Sequence, residues 1–175
     1  EFILSSARSA RHPFILSLCR FPMSHLPTIT LLSIPVHDVT MAETLREHLE
    51  GHAATTVVNR GNFGTVTLFR VYPDGVDTFS ILDREQSDAN YREQLLAHNE
   101  YNRQIFHHVQ SEALQGRGVV ISMTDNYRET DYGEPMVALK SYILSPFCIE
   151  ASIVAVLESL WAARSRIAAA TATHS

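Results

Sequence analysis

Two stretches in the second half of the chain, residues 119–124 and 137–143, alternate between two sets of side chains. A period of two puts neighbouring side chains on opposite faces of a pleated sheet, so each stretch predicts a β-strand with one dry face. The polar run between them, residues 124–135, is too long for a tight hairpin and predicts an extended loop. Because binding sites are often built on long ordered loops above a rigid sheet, this loop is a candidate site.

Three other stretches, near residues 39–50, 89–114 and 148–166, repeat apolar residues at helical spacing. Thr40 and Glu43 match a capping box and predict the start of the first helix. The last helix has a wide predicted apolar face, which consists of Ile149, Ile153, Val156, Leu157, Leu160 and Trp161.

Short β-branched stretches at residues 55–58 and 64–72 predict two more strands, and residues 77–88 predict irregular structure. The predicted order is therefore helix, two strands, long helix, two strands, helix. This order indicates an α+β fold, in which helices pack on one face of a small, mainly antiparallel sheet.

The two ends of the chain differ from the part between them. No Asp or Glu occurs between Phe2 and His37, while Arg8, Arg11 and Arg20 do. This composition is shared by organelle transit peptides, but we favour a poorly ordered or non-native leader over residues 1–36. The organised domain is expected at residues 37–167, followed by a frayed tail at residues 168–175. Because the chain begins with glutamate, we expect a fragment or a processed product.

Overall charge and composition narrow the possible roles. The formal net charge is −5 and the pI is about 6.0, which disfavours nucleic acid as a partner. No apolar run approaches the roughly 20 residues needed to cross a bilayer, so no membrane partner is expected. Only two cysteines occur, Cys19 and Cys148, which favours a reducing, cytoplasmic location over a disulfide-bonded one.

The sequence contains none of the motifs GxSxG, HExxH or CxxC, and it has no Walker loop. The pairs His48/His52 and His107/His108 lack the geometry or the third ligand for a metal site, so no metal is predicted. His98 and Asn102 interrupt the apolar stripe of the long helix. They either cover a wet cavity or make ordinary satisfied contacts, and the second is more common.

Lys140 is the only lysine of the chain. It alternates with Ala138 and Tyr142, opposite the apolar set of the same strand. Spacing alone leaves two interpretations open, a solvated strand lysine or a fixed cation directed at a carboxylate or phosphate. Cys148 is similarly either a packed small residue or a thiolate stabilised near a helix start, and we favour the first.

Four strings give the chain a resemblance to a known family. They are GTVTLFRVYPDG at residues 64–75, HNEYNRQIF at 98–106, GVVISMTDNYRETDYGEPMVALKSYILSPF at 118–147 and VLESLWAAR at 156–164. Residues 40–167 resemble the C-terminal part of pyridoxal-phosphate-dependent group II amino-acid decarboxylases, particularly the tyrosine- or aspartate-type pyridoxal-dependent branch.

The resemblance implies a small domain of the fold-type-I class, which closes the active site of a carbon–carbon lyase that releases carbon dioxide from an amino acid. The cofactor would be bound mainly by a separate large domain, and the enzyme would be a homodimer. The lysine that binds the cofactor usually follows a histidine, whereas Lys140 follows Leu139. No catalytic or cofactor-binding residue is therefore assigned to this chain, which we expect to be inactive by itself.

The resemblance also suggests substrate contacts. Lys140 matches a position that often carries an arginine near the substrate carboxylate, although lysine lacks the bidentate fork of arginine. Tyr127 and Arg128, in the predicted loop, would approach the mouth of the active site. The alternative to a decarboxylase domain is a stand-alone, non-catalytic α+β module with a binding or regulatory role.

Overall fold

The computed structural model describes residues 28–61, 64–145 and 147–173, with the backbone alone for residues 28–35. Its helices are α1 (Thr28–Glu50), α2 (Ile81–Ser87), α3 (Arg92–Leu114) and α4 (Glu150–Ala172), with a 3-10 turn at Ala89–Tyr91 before α3. Its strands are β1 (Thr55–Val57), β2 (Val66–Val71), β3 (Ser122–Glu129) and β4 (Pro135–Tyr142).

The four strands form one antiparallel sheet in the order β1-β2-β4-β3. Phe69 of β2 is the register partner of both Val57 in β1 and Leu139 in β4, so these three side chains share one face. The predicted α+β class and antiparallel sheet are confirmed. The stretch that predicted the two C-terminal strands contains β3 and β4, but only β4 is central, because β3 lies at the edge of the sheet.

The hydrophobic core lies between this face and helices α1, α3 and α4. The helices contribute buried apolar side chains at helical spacing, which is why each forms an amphipathic helix rather than a strand. The core consists of Ala42, Leu45, Leu49, Val57, Phe69, Val71, Ile105, Val109, Ile121, Leu139, Ile143, Ile153, Leu160, Ala163 and Ile167. Each large side chain in it contributes roughly 1.5–3 kcal/mol by leaving water.

Residues 77–88 are not irregular as predicted, because they contain α2. Only Ile81 and Glu85 of this seven-residue helix are buried, one turn apart. One of the two is charged, so hydrophobic periodicity could not reveal the helix. Glu85 reaches Arg70, the register partner of Thr56 on the sheet face opposite the core, so α2 covers one end of that outer face.

The predicted extended loop at residues 124–135 is also wrong. β3 continues to Glu129, with a register irregularity between Thr124 and Arg128, and only residues 130–134 form the turn. The Thr130 N–H donates to the Glu134 carbonyl at 2.8 Å, and Gly133 has a φ of 84°, which favours glycine. Polar composition concealed the strand because β3 is an edge strand in which none of the eight residues is fully buried.

Helix α1 begins eleven residues before the predicted start at residue 39. Its first nine residues belong to the segment that was predicted as a leader, and residues 1–27 of that segment lie outside the described part. Thr40 is inside the helix, where its hydroxyl donates to the Val36 carbonyl at 2.9 Å, so the predicted capping box is wrong. His37 explains part of the extension, because its Nε2 lies 2.6 Å from the Cys148 carbonyl oxygen and ties this turn to the loop before α4.

The last helix begins and ends later than predicted. Ile149 precedes α4 and is exposed rather than part of the apolar face, while Ile153 and Leu160 are buried as expected. The helix continues to Ala172, six residues beyond its predicted end at Arg166. The segment predicted as a tail is therefore helical up to that residue, and its fraying stays a prediction.

Candidate functional site

The sheet opens at one end, between β2 and β4. Their register runs from Val66 opposite Tyr142 to Phe69 opposite Leu139, and the next hydrogen-bonded pair in that register would join Val71 and Val137. These two residues do not bond to each other. Side chains bind all four of their backbone groups instead.

Two asparagines of α3 supply most of these bonds. The Asn102 amide accepts from the Val71 N–H and donates to the Val71 carbonyl, both at 2.9 Å. Asn99 accepts from the Val137 N–H at 3.0 Å, and the Arg70 guanidinium donates to the Val137 carbonyl. Because buried backbone groups are costly without partners, these side chains replace the missing part of the ladder.

Arg70 also forms the centre of a buried ionic cluster. Its Nη2 donates to Glu85 Oε1 at 3.0 Å, and both side chains are completely buried. Tyr72 donates its hydroxyl to Glu85 Oε2 at 3.2 Å, and His98 Nδ1 lies 2.9 Å from Glu85 Oε1. Asn99 Oδ1 accepts a further bond from Arg70 at 2.9 Å. Both carboxylate oxygens are thereby satisfied, as a buried charge requires.

Two members of the cluster, Arg70 and Tyr72, have pKa values that are shifted away from the neutral range. Burial lowers the pKa of Arg70, but Tyr72 and Glu85 outweigh this effect, so the net shift is upward. Burial raises the pKa of the Tyr72 hydroxyl far above its usual value; Arg70 opposes the shift and Glu85 adds to it. Arg70 therefore stays charged and Tyr72 stays neutral. His98 and Asn102 make satisfied contacts, as predicted for the polar interruption of the α3 stripe.

A second set of bonds fixes the β3–β4 turn against α2. Gln86 donates from its amide to the Glu129 carbonyl at 3.0 Å and to Asp131 Oδ1 at 2.8 Å. The Tyr132 hydroxyl donates to the Glu85 carbonyl at 2.8 Å, and Arg92 pairs with Glu134. The turn that carries the tip of the hairpin is consequently part of the same hydrogen-bonded unit as the ionic cluster.

Tyr127 and Arg128 lie in the irregular part of β3. The Tyr127 hydroxyl is 3.8 Å from Met136 Sδ, and the pKa of Tyr127 is raised mainly by burial, with Arg70 opposing the shift. Arg128 is exposed, with its guanidinium carbon 6.0 Å from the Tyr127 ring centroid. Tyr127 is thus mostly a packing residue beside the buried cluster, and its role as a substrate contact stays a prediction.

Lys140 lies on the outer face of the sheet, where its register partners are Leu68 in β2 and Ser122 in β3. Its Nζ is 5.8 Å from the centroid of the Tyr142 ring, and the side chain is half-buried. Within the described residues, no carboxylate lies within ion-pair distance of this ammonium. Arg128 pairs with Met136, which is four residues from Lys140 along β4, so the backbones at Arg128 and Lys140 are separated by about 13 Å along the strand direction.

The remaining predicted groups have structural explanations. Among the described residues, no group of three His, Cys, Asp or Glu side chains is arranged to hold a metal ion. His52 is not solvated as expected, because its ring stacks on Trp161 at 3.9 Å between centroids. Cys148 packs against the core, which confirms its favoured interpretation, and Cys19 lies outside the described part.

A cleft of about 1000 Å³ lies between β1 and the segment leading into α2. Its walls include Glu50 and Arg60, which form an ion pair at 2.9 Å, and the exposed Phe79. Lys140, Tyr127 and Arg128 do not line this cleft, so it is separate from the predicted contacts. None of the helices in the described chain is both long and apolar enough to span a membrane.

Sequence reasoning missed the ionic cluster, although one signal for it was present. Arg70 stands between Phe69 and Val71 in a strand of β-branched and aromatic residues. A charge at such a position requires a buried partner. The partner, Glu85, is fifteen residues away in a helix that showed no period, so the pair could not be assigned from sequence.

The described residues do not by themselves fit pyridoxal phosphate. Covalent attachment of this cofactor requires a lysine, and the only one in the chain, Lys140, follows Leu139 rather than the histidine that usually precedes the cofactor-binding lysine. The chain has no second lysine that could take this role. We therefore derive no cofactor chemistry from this chain alone.

No family model and no curated protein sequence matches the chain. Solved structures do match, and the three described next are far longer than this chain. TDC from Oryza sativa with PLP and tryptamine superposes with a TM-score of 0.57 and 14% identity, covering 79% of this chain and 24% of that one. Tryptophan decarboxylase from Catharanthus roseus in complex with L-tryptophan gives 0.54 and 17%, covering 79% and 22%.

A bacterial structure gives the same result. The glutamate decarboxylase domain of diaminobutyrate-pyruvate transaminase and L-2,4-diaminobutyrate decarboxylase from Vibrio parahaemolyticus matches with a TM-score of 0.51 and 13% identity, covering 77% of this chain and 22% of that one. The chain thus spans under a quarter of the length of each of these proteins. At this identity the likeness concerns the fold, and it confirms at that level the predicted resemblance to the C-terminal domain of group II pyridoxal-phosphate-dependent decarboxylases.

Proposed function

We propose that this chain is the C-terminal small domain of a pyridoxal-phosphate-dependent amino-acid decarboxylase, inactive without a large cofactor-binding domain. The observation that carries the proposal is the fold match, in which more than three-quarters of this chain covers less than a quarter of several decarboxylases. The presence of a single lysine, placed inside a sheet strand, supports the assignment of cofactor binding to another part of the enzyme.

Lys140 is the residue that we propose as the contact to the substrate carboxylate. Two observations support it: the ammonium has no ion-pair partner in the described chain, and it lies on the sheet face opposite the hydrophobic core. A half-buried cation in an acidic protein is stabilised by a nearby anion, and the carboxylate of an amino acid meets this need. Tyr127 and Arg128 are secondary candidates for substrate binding.

The complete decarboxylase is further proposed to be a cytoplasmic homodimer that acts in amino-acid metabolism. The low cysteine content supports a reducing compartment, and the family resemblance supports the dimer. The amino acid that it decarboxylates is not proposed, because Lys140 would contact the carboxylate common to all of them.

The proposal is tested by adding pyridoxal phosphate to the purified 175-residue chain and to the complete gene product, and recording absorbance spectra. The band of lysine-bound cofactor is expected from the complete gene product and not from the chain. A complete gene product without this band would overturn the decarboxylase assignment and favour the stand-alone binding or regulatory module.

The role of Lys140 is tested by steady-state kinetics of the complete enzyme. Lys140→Met is expected to raise KM roughly tenfold, and Lys140→Arg to restore most of the loss, because a charged hydrogen bond contributes about 1.5–3 kcal/mol. Arg60→Met, on the far β1–β2 side and paired with Glu50, is the charge-matched control. Unchanged KM in Lys140→Met would remove this residue from the substrate site.

A further inference from the structure

Large apolar side chains are exposed at one end of the domain, where β4 ends and α4 begins. Among the described residues, six of the ten large hydrophobic side chains that are exposed belong to this end, with exposed fractions between 49% and 86%. We call them the apolar end surface, which consists of Val36, Val120, Tyr142, Leu144, Phe147 and Ile149.

These six residues form one surface rather than scattered positions. Val120, Tyr142, Leu144 and Phe147 line a single cavity of about 250 Å³. Val36 and Ile149 are joined to this cavity through the 2.6 Å contact between His37 Nε2 and the Cys148 carbonyl oxygen. Val36 precedes His37 in the sequence, and Ile149 follows Cys148. An apolar surface of this kind marks an interaction site more often than an isolated exposed residue does.

The exposure of Phe147 is built into an ordered turn. The Phe147 N–H donates to Ser145 Oγ at 3.3 Å, and the Cys148 N–H donates to the Ser145 carbonyl at 2.9 Å. These bonds fix the backbone on both sides of the aromatic ring. A backbone that is already fixed has less conformational entropy to lose when a partner covers the side chain that it carries.

Five of the six residues lie in two segments without charged residues, although Lys140 and Glu150 flank the second segment. Residues 118–124 and 141–149 contain no Asp, Glu, Lys or Arg, in a chain whose net charge is −5. The part of a partner that covers these two segments therefore needs to be mainly apolar, since a charge facing them would lose its water without gaining an ion pair.

We propose that the apolar end surface is the face on which the large domain of the same decarboxylase docks. This inference rests on the proposed function, and the length of the matched proteins supports it. More than three-quarters of each lies beyond the part that this chain covers. Tyr142, whose ring lies 5.8 Å from the Lys140 ammonium, makes the surface continuous with the proposed substrate contact. Docking there therefore places the large domain beside that cation.

The test compares the double variant Leu144→Ser/Phe147→Ser with Phe79→Ser in the complete gene product. Phe79 is a matched control, because it is 80% exposed against 83% for Phe147 and lies in the separate cleft beside β1. Limited proteolysis between the two domains and decarboxylase activity are measured. We expect the double variant to be cleaved roughly tenfold faster and to lose activity, since two large apolar side chains no longer bury against the partner. Phe79→Ser is expected to behave like the parent.

Equal cleavage and equal activity in the double variant and the control would overturn the docking surface while leaving the decarboxylase assignment intact. A parent without the cofactor band fails the proposed function instead. The isolated chain carrying the double substitution should keep its thermal midpoint, which separates lost docking from misfolding. If sedimentation shows a dimer of the isolated chain that the double variant dissociates, while the complete gene product is unaffected, the occupant is a second copy and the proposal is wrong.

Discussion

The opened end of the sheet and the apolar end surface lie at opposite ends of the same strand, β4. They differ in whether their side chains find partners within the domain. At the opened end, Arg70, Glu85, Asn99 and Asn102 are buried, and the four groups of the broken ladder pair all find partners within the domain. At the other end, the apolar residues remain in contact with solvent.

The contrast distinguishes polar groups that stabilise the fold from groups that are free to contact another molecule. The buried cluster contains charged and polar side chains whose hydrogen bonds are made within the domain, so little capacity remains for a ligand. Lys140 has no such partner in the described chain, and the neighbouring apolar residues lack a cover. The region with the simpler chemistry is therefore the better candidate for contact with something outside the chain.

The largest effect is expected from breaking the buried ion pair. Glu85→Gln leaves the Arg70 guanidinium buried without a countercharge, so the free energy of unfolding should fall by about 3–5 kcal/mol. Urea denaturation of the chain measures it. Asp83→Asn, an exposed position of the same helix, is the matched control and should change little. A cost in Glu85→Gln that is no larger than in the control would show that the cluster is not structural.

A smaller effect is expected from the opened ladder. Asn102→Ala removes the partners of the Val71 N–H and carbonyl, both of which are buried, and should cost about 2–3 kcal/mol of unfolding free energy. Hydrogen exchange at the Val71 amide should accelerate in the same variant. Gln104→Ala removes an amide from the exposed side of α3 and serves as the control. If Val71 exchange were unchanged, β2 and β4 would be pairing there directly.

The smallest effect is expected from the titration of His52, which lies outside the buried ionic cluster. Burial lowers the pKa of His52, the positive charge of Arg164 lowers it further, and Asp74 opposes both. The Ala54 N–H donates to His52 Nδ1 at 3.2 Å, so the neutral ring is the bonded form. A lowered folded-state pKa means that this contribution to stability is present above about pH 6.5 and is lost as the pH falls through the folded value.

Trp161, the only tryptophan, reports this titration because it stacks on His52. Its fluorescence should change with a midpoint below about pH 6.5, and His52→Gln should abolish the change. The exposed His48, substituted by Gln, provides the control. A midpoint above the ordinary histidine value would mean that the ring is charged when stacked.

The sequence predicted much of the fold because burial leaves a periodic trace. The long α3, the strands β2 and β4, and the buried part of α4 each have one mainly apolar side, and each was located within a few residues. The trace fails where a buried position is polar, as at Glu85 in α2, and where an edge strand is polar on both sides, as in β3. Residue type also misplaces the start of α1, because Thr40 is inside the helix, where its hydroxyl donates to the Val36 carbonyl instead of accepting from a backbone N–H as an N-cap would.

By itself, the sequence determined the class of the fold, the order of its main elements and the likeness to decarboxylases that the solved structures confirm at the level of the fold. The tertiary structure decided which polar groups are already used. The Arg70 bond to Val137 joins residues 67 positions apart, and the Asn102 bonds to Val71 join residues 31 apart. Periodicity records only whether a position faces the core, whereas a hydrogen bond depends on which distant residue the folded chain brings within about 3 Å.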